Sequence, residues 1–263
     1  MQMEAFMSEL VSLKNRTIVV TGAGQGIGEG IARLVIELGG NVVAVDRNEE
    51  TLKKLEGELP AGRLMPAVAD VSDPEAAQRV VAQAVEKFER VDGLCNNAGI
   101  TRPAMMDKMT VKDWRDVLDV HLSASFFWSQ ALGQHLIARA KAGDTKGGSI
   151  VNISSDAGRK GAIGQVNYAA AKAGILGVTM TTAREWGKYN IRANSICFGV
   201  VETPMTEVIR GDKFRDKILS QIPLGRWSTP DEVVKAVCFL LSDAASYVTG
   251  QHLGVNGGYH ISL

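Results

Sequence analysis

The chain has 263 residues, 45% of them hydrophobic and 22% charged. That balance suits a soluble globular fold and excludes a disordered one. Lysine plus arginine and aspartate plus glutamate number 29 each, so no net charge marks nucleic acid or an anionic membrane as its main partner.

Short apolar runs alternate with helix-period segments in chain order. A β-branched strand over 17–21 (TIVVT) enters a glycine turn, and a helix then runs to residue 38. Strands are predicted over 41–46, 63–68, 91–96, 149–154, 191–197 and 252–255. Helices are predicted over 49–59, 74–88, about 110–140, about 167–188 and 231–241. Residues 200–228 read as irregular, with short helices. Seven short strands, each followed by a helix or turn, imply βαβ units and right-handed crossovers. The fold class is therefore α/β: one doubly wound Rossmann-type domain with a parallel seven-stranded sheet and helices on both faces. It spans residues 14–263 behind an N-terminal tail of 1–13. Ligands of such sheets sit at the carboxyl ends of the strands.

Cys95, Cys197 and Cys238, without a Cys-x-x-Cys pair, give neither a disulfide framework nor a zinc site, and no metal is expected. The first residues lack the apolar core of a leader peptide. A long stretch free of Asp, Glu, Lys and Arg, Val120 to Ala138, carries two His, two Gln and three Ser, too polar for a membrane span. It reads as a helix buried in the protein or against a partner subunit, and a cytoplasmic protein is expected.

The turn TGAGQGIG places Gly22, Gly26 and Gly28 between a strand and a helix. Glycines there allow a tight turn and close approach of a pyrophosphate to backbone N–H groups at the helix N-terminus. No Gly-Lys-Ser/Thr follows, which argues against a nucleotide-hydrolysing P-loop. Asp46 ends the second strand, eighteen residues after Gly28. A carboxylate there accepts hydrogen bonds from an adenosine ribose and repels a 2′-phosphate, which favours NAD over NADP. Arg47 pulls the other way, since a guanidinium pairs with phosphate.

Tyr168 and Lys172 stand four residues apart on one helix face. Free tyrosine is a poor base at neutral pH, and a neighbouring ammonium lowers its pKa. Three alanines between them leave room for a cofactor. Ser155 lies thirteen residues before Tyr168, just past a strand, where its hydroxyl reaches a substrate oxygen.

With TGAGQGIG, Asp70-Val71, Asn96-Asn97-Ala98-Gly99, Ser155, Tyr168-x-x-x-Lys172, Asn194, Val201-Glu202-Thr203 and the tail SYVTGQHLGVNGG in view, the chain resembles the short-chain dehydrogenases/reductases over about residues 14 to 258. The resemblance implies that Tyr168 is the general acid of carbonyl reduction and the base of alcohol oxidation. Ser155 then orients the substrate oxygen, and Lys172 holds the nicotinamide ribose. The implied cofactor residues are Gly22, Gln25, Gly26, Ile27, Gly28, Asp46, Arg47, Asp70 and Val71 beside the adenine, Asn97, Ala98 and Gly99 along the cleft, and Val201 and Thr203 at the carboxamide. Tyr168 and Lys172 also touch the cofactor. Two positions depart from the family pattern. His121 stands where a relay asparagine is usual, and it is retained as a catalytic candidate through its backbone carbonyl. Phe198 replaces the usual proline at the nicotinamide wall.

By the same resemblance, residues 200–228 form a substrate lid with an apolar set (Met205, Val208, Ile209, Phe214, Ile218, Leu224, Trp227). NNAGITRPAMMDKMTVKDW and the histidine helix resemble the branch that reduces 3-oxoacyl thioesters and oxidises 3-hydroxyacyl thioesters. The expected partner is a small molecule, acyl-CoA or acyl carrier protein included, with Arg139, Lys141, Lys146, Arg159 and Lys160 as phosphate contacts or simply a solvated face. The family's usual dimer helices and C-terminal tail imply a homotetramer. The alternatives are another secondary alcohol (steroid, terpenoid, aryl alcohol or diol) and a catalytically silent partner subunit.

Overall fold

A computed structural model describes residues 11–261. The seven strands of the sheet are fully parallel and lie in the order β3-β2-β1-β4-β5-β6-β7. In chain order the strands are β1 (Thr17–Thr21), β2 (Asn41–Asp46), β3 (Leu64–Val68), β4 (Gly93–Asn96), β5 (Gly148–Ser155), β6 (Ile191–Phe198) and β7 (His252–Val255). The helices are α1 (Gly26–Glu37), α2 (Glu49–Glu58), α3 (Pro74–Phe88), α4 (Val111–Leu118), α5 (Ala124–Lys141), α6 (Ala157–Lys160), α7 (Val166–Trp186), α8 (Glu207–Arg210), α9 (Asp212–Leu219) and α10 (Pro230–Leu241).

Local chemistry sets the helix starts. Asp73 caps α3 through Glu75 N, with Pro74 in the first turn, and Asn48 accepts from Glu50 N and Thr51 N at the start of α2. Thr229 and Glu232 form a reciprocal capping box on α10.

Each sheet face has its own core. One buries Ile31 and Val35 of α1 against Val234 and Val237 of α10, and includes Leu13. Residues 1–10 of the expected tail lie outside the described residues. The other core joins Val80 and Ala84 of α3 to Trp128 and Leu132 of α5. Trp128 is fully buried and donates its indole N–H to Val71 O at 3.1 Å, so its bulk is buried without an orphan donor.

The single helix expected over 110–140 is interrupted. Residues Asp119–Ser123 form a π-helical turn between α4 and α5. Such a turn adds one residue to the ladder and re-aims what it carries, here His121. Along α5 the inward face is buried while Phe126 remains 48% exposed. All three cysteines are buried and unbridged. No described helix is long and apolar enough to cross a membrane.

Sheet order reverses between β1 and β4, and there the strand ends part to form a crevice. A buried polar ladder underlies it. Asn96 Nδ2 donates to Asn152 Oδ1 at 2.8 Å and to Ser129 Oγ at 3.1 Å, and Asn152 Nδ2 donates to Thr179 Oγ1 at 2.9 Å. It ties β4 and β5 to α5 and α7, the elements that carry the site.

Candidate active site

The glycine turn is shaped by the lack of side chains. Gly22 has φ +67° and Gly26 φ +59°, the left-handed region that glycine enters without penalty. A Cβ on Gly28 would meet Gly22 O at 2.0 Å, and one on Gly24 would meet Thr51 Oγ1 at 2.3 Å. Gln25 starts α1 with no side-chain cap, which leaves the first N–H groups free for an anion. Thr21, which strand propensity alone does not mark as a site residue, fastens the turn to the end of β4. Its hydroxyl accepts from Asn97 N at 3.0 Å and Ala98 N at 3.1 Å, and Asn97 Nδ2 donates back to Thr21 O at 3.0 Å.

Both carboxylate oxygens of Asp46 are held by backbone, Oδ2 by Gly24 N and Oδ1 by Asn48 N, each at 3.0 Å. Asp70 accepts from Ser72 N and Oγ, and these bonds, with a smaller pull from Arg47, lower its pKa.

The crevice is a cleft of about 280 Å³. It is lined by Gly22, Gln25, Gly26, Ile27, Asp46, Arg47, Asp70, Val71, Asn97, Ala98, Gly99, Val201 and Thr203, and by Ser155, Tyr168, Lys172 and His121. Phe198 lines it as well. Gly28 does not; its part is to let α1 pass over Gly22.

Tyr168 and Lys172 rise from the first turns of α7, where Asn167 anchors the helix start by donating to Arg102 O and Asp113 O, both at 3.0 Å. Lys172 is buried and its Nζ donates to Ile153 O at 2.6 Å, 5.5 Å from the centroid of the Tyr168 ring. Burial lowers its pKa to about 7. The structure corrects the expected effect on tyrosine. Burial raises the Tyr168 pKa, a hydrogen bond with Ser155 opposes it, and Lys172 makes no resolved contribution. The reason is that burial lowers the pKa of Lys172 to about 7, so it is neutral over the higher pH range where the phenol titrates.

His121 sits in the π-turn, 2% exposed. Its Nε2 lies 2.8 Å from Ile100 O and 3.0 Å from Ile100 N, and its ring stands edge-on to Tyr168 with centroids 5.2 Å apart. Burial, and next Lys172, push its pKa well below 6.5, so the ring is neutral. Gly99 is what admits it, since a Cβ there would lie 2.3 Å from His121 Cε1. The backbone carbonyl of His121 accepts Ser125 Oγ at 2.7 Å.

Some expected contacts are engaged elsewhere. Arg139 pairs with Asp92 and Asp144, Arg159 donates to His252 O, and Lys160 lies over the ring of Tyr259. Asn194 braces the C-terminal segment through Val248 O and Gln251 N.

A doubly wound sheet, a glycine turn at its switch point and a Ser–Tyr–Lys cluster across the cleft define a dinucleotide-dependent oxidoreductase. Comparison with known proteins agrees. A family model described as enoyl-(acyl carrier protein) reductase matches residues 22–260. The chain is 42% identical over 248 residues to the 3-oxoacyl-(acyl-carrier-protein) reductase FabG of Thermotoga maritima, covering 94% of this chain and 98% of the relative. It is 38% identical over 262 residues to the (3R)-3-hydroxyacyl-CoA dehydrogenase of Rattus norvegicus, covering 96% and 99%. A solved short-chain dehydrogenase/reductase of Brucella melitensis, titled glucose/ribitol dehydrogenase, superposes with a TM-score of 0.88 at 32% identity, over 95% of this chain and 99% of that one. The chain belongs to the short-chain dehydrogenase/reductase family. It is an enzyme that interconverts a secondary alcohol and a ketone with a nicotinamide dinucleotide.

Proposed function

We propose that the substrate pair is a 3-hydroxyacyl and a 3-oxoacyl thioester, that the cofactor is NAD(H), and that Ser155, Tyr168 and Lys172 carry the reaction. The observation behind this reading is the meeting of these three side chains in one cleft with the glycine turn. The residues fit a dinucleotide: Gly22, Gly26 and the uncapped start of α1 form a cradle that side chains would fill. Gln25, Ile27 and Gly28 complete it. Asp46 would hold the adenosine ribose, with Arg47 beside it. Asp70 and Val71 would flank the adenine, Asn97, Ala98 and Gly99 the ribose-side wall, and Val201 and Thr203 the carboxamide. The bound dinucleotide supplies or takes up the hydride.

The protein's own residues handle the proton and the geometry. In reduction Tyr168 donates its hydroxyl proton to the carbonyl oxygen, and in oxidation it takes the proton from the hydroxyl. Ser155 holds that oxygen, and its bond to Tyr168 lowers the cost of phenolate. Lys172, held by Ile153 O, would bind the nicotinamide ribose. His121, being neutral, has no imidazolium proton to give near neutrality; it positions Tyr168 from the ring edge and ties down Ile100.

A carboxylate pinned at Asp46 supports NAD, because a 2′-phosphate beside it would face like charge in a partly dry crevice. The named activities of the relatives support a thioester. Apolar side chains left exposed on the 200–228 lid, Met205 at 50% and Val208 at 76%, support an acyl chain. Exposed Phe126 on α5 and Met180 on α7 support subunit contacts there, within a homotetramer.

The test is an initial-rate screen with NADH and NADPH against acetoacetyl-CoA, a longer 3-oxoacyl-CoA, a steroid ketone and an aryl ketone. A 3-oxoacyl thioester with NADH should give the highest kcat/KM. Inert thioesters beside a reactive ring or aryl ketone would overturn the substrate assignment and leave another secondary alcohol in its place.

A further inference from the structure

Directly after Ser155 the chain makes the single turn α6, and Asp156 stands at its start. An aspartate there ordinarily caps the first turn, yet this one makes no cap bond. Ser155 Oγ accepts from Ala157 N instead, at 3.2 Å. The Asp156 carboxylate is turned inward and is 2% exposed. Its two oxygens receive the side-chain amide of Asn256 at 3.0 and 2.9 Å. Burial raises the Asp156 pKa against that bond. A carboxylate this deep costs stability even when bonded, so its presence beside Ser155 calls for a role other than stability.

Asn256 is the hub of a tight turn. Its amide also donates to His260 O at 3.0 Å, and its Oδ1 accepts from Gly258 N at 3.0 Å. The same turn carries the base of the lid. Leu224 N donates to Gly257 O at 3.1 Å. Gly258, at φ +88°, packs so closely that a Cβ would lie 2.6 Å from Pro223. On its other side, Gly199 N donates to Val255 O at 3.3 Å. One turn of the C-terminal segment thus bears on the exit of β6, the root of the lid and the residue beside Ser155. The Arg159–His252 and Lys160–Tyr259 contacts of α6 reinforce it.

We propose that the Asp156–Asn256 pair is a positioning link that sets the lid base against the Ser155 turn, and so governs the substrate side of the cleft but not the adenosine half of the dinucleotide site. The inference rests on the reading of Ser155 as the group that holds the substrate oxygen. The glycine turn, Asp46 and Asp70 belong to β1, β2 and the exit of β3, and the Asn256 turn makes none of their hydrogen bonds.

The experiment compares wild type with Asp156→Ala, Asn256→Ala, Asn256→Asp and the swap Asp156→Asn/Asn256→Asp, with Tyr168→Phe run in parallel. Steady-state kinetics with acetoacetyl-CoA give KM and kcat, and fluorescence titration gives NADH affinity. Each single variant should lower kcat/KM for the ketone by about tenfold or more, the scale of a lost charge-assisted hydrogen bond, while NADH affinity stays within about twofold. The swap restores an amide–carboxylate pair and should recover most of what Asn256→Asp loses. Wild-type ketone kinetics in Asn256→Ala, or a parallel fall of NADH affinity and ketone turnover, would overturn the link. So would a swap no better than Asn256→Asp, which decides the matter even where the alanine variants fail to fold. An active Tyr168→Phe would instead overturn the catalytic reading, so the two failures are distinct.

Discussion

Gly28→Ala is the sharpest perturbation of the cofactor cradle. The added methyl would stand 2.0 Å from Gly22 O and 2.6 Å from Asn97 Nδ2, against the roughly 3.5 Å at which nonbonded contacts become favourable. Gly22 O belongs to backbone, and Asn97 Nδ2 is held by Thr21 O, so neither yields cheaply. Relief requires α1 to move away from the turn. Overpacking of this kind costs about 1–3 kcal/mol, offset by at most about 1 kcal/mol of helix propensity gained on replacing glycine. The expected net loss is on the order of 1–2 kcal/mol in thermal or denaturant unfolding. The displaced turn should also weaken NADH binding by about tenfold or more, since every 1.4 kcal/mol is about a factor of ten. The control is Gly57→Ala in α2, where a Cβ meets nothing within 4 Å and the change should be neutral or slightly stabilising. Equal NADH affinity and equal stability in Gly28→Ala and wild type would refute the geometry of the cradle.

Asp46→Ala should raise the NADP/NAD ratio of kcat/KM, measured with one substrate and both cofactors; an unchanged ratio would remove Asp46 from cofactor choice. Lys172 titrates in the folded protein near 7, against an ordinary 10.5. Between those values the unfolded chain binds the extra proton, so cofactor-free stability should rise with pH across that window. Lys172→Met should flatten the slope, and denaturant midpoints against pH measure it; a wild-type slope that falls there would contradict the burial argument. Trp128→Ala empties the centre of one core and should cost about 3–5 kcal/mol, read from urea unfolding, and a loss near zero would contradict the packing described.

Much of this was legible from pattern alone. The predicted bounds of β1, β2, α3 and β7 coincide with those observed; for the first three the β-branched runs and the proline at a helix start are local signals. The π-turn at 119–123 was not legible, since one inserted residue barely changes hydrophobic periodicity over a long helix. Thr21 looks like any β-branched strand residue until its hydroxyl meets Asn97, 76 residues on. Asp156 gives no signal in the sequence, because its partner Asn256 lies 100 residues away. The direction of the Tyr168 shift also escaped the sequence. Spacing puts an ammonium near the phenol, but whether that ammonium faces the hydroxyl or a carbonyl such as that of Ile153 is settled by packing.

The central claim is that Tyr168 moves the proton in a cleft where the dinucleotide binds independently of it. The direct measurement is the rate of NADH oxidation with acetoacetyl-CoA by wild type and Tyr168→Phe, with NADH affinity of both by titration. The account predicts a rate loss of roughly a hundred- to ten-thousand-fold with NADH affinity preserved. Undiminished turnover by Tyr168→Phe would contradict it.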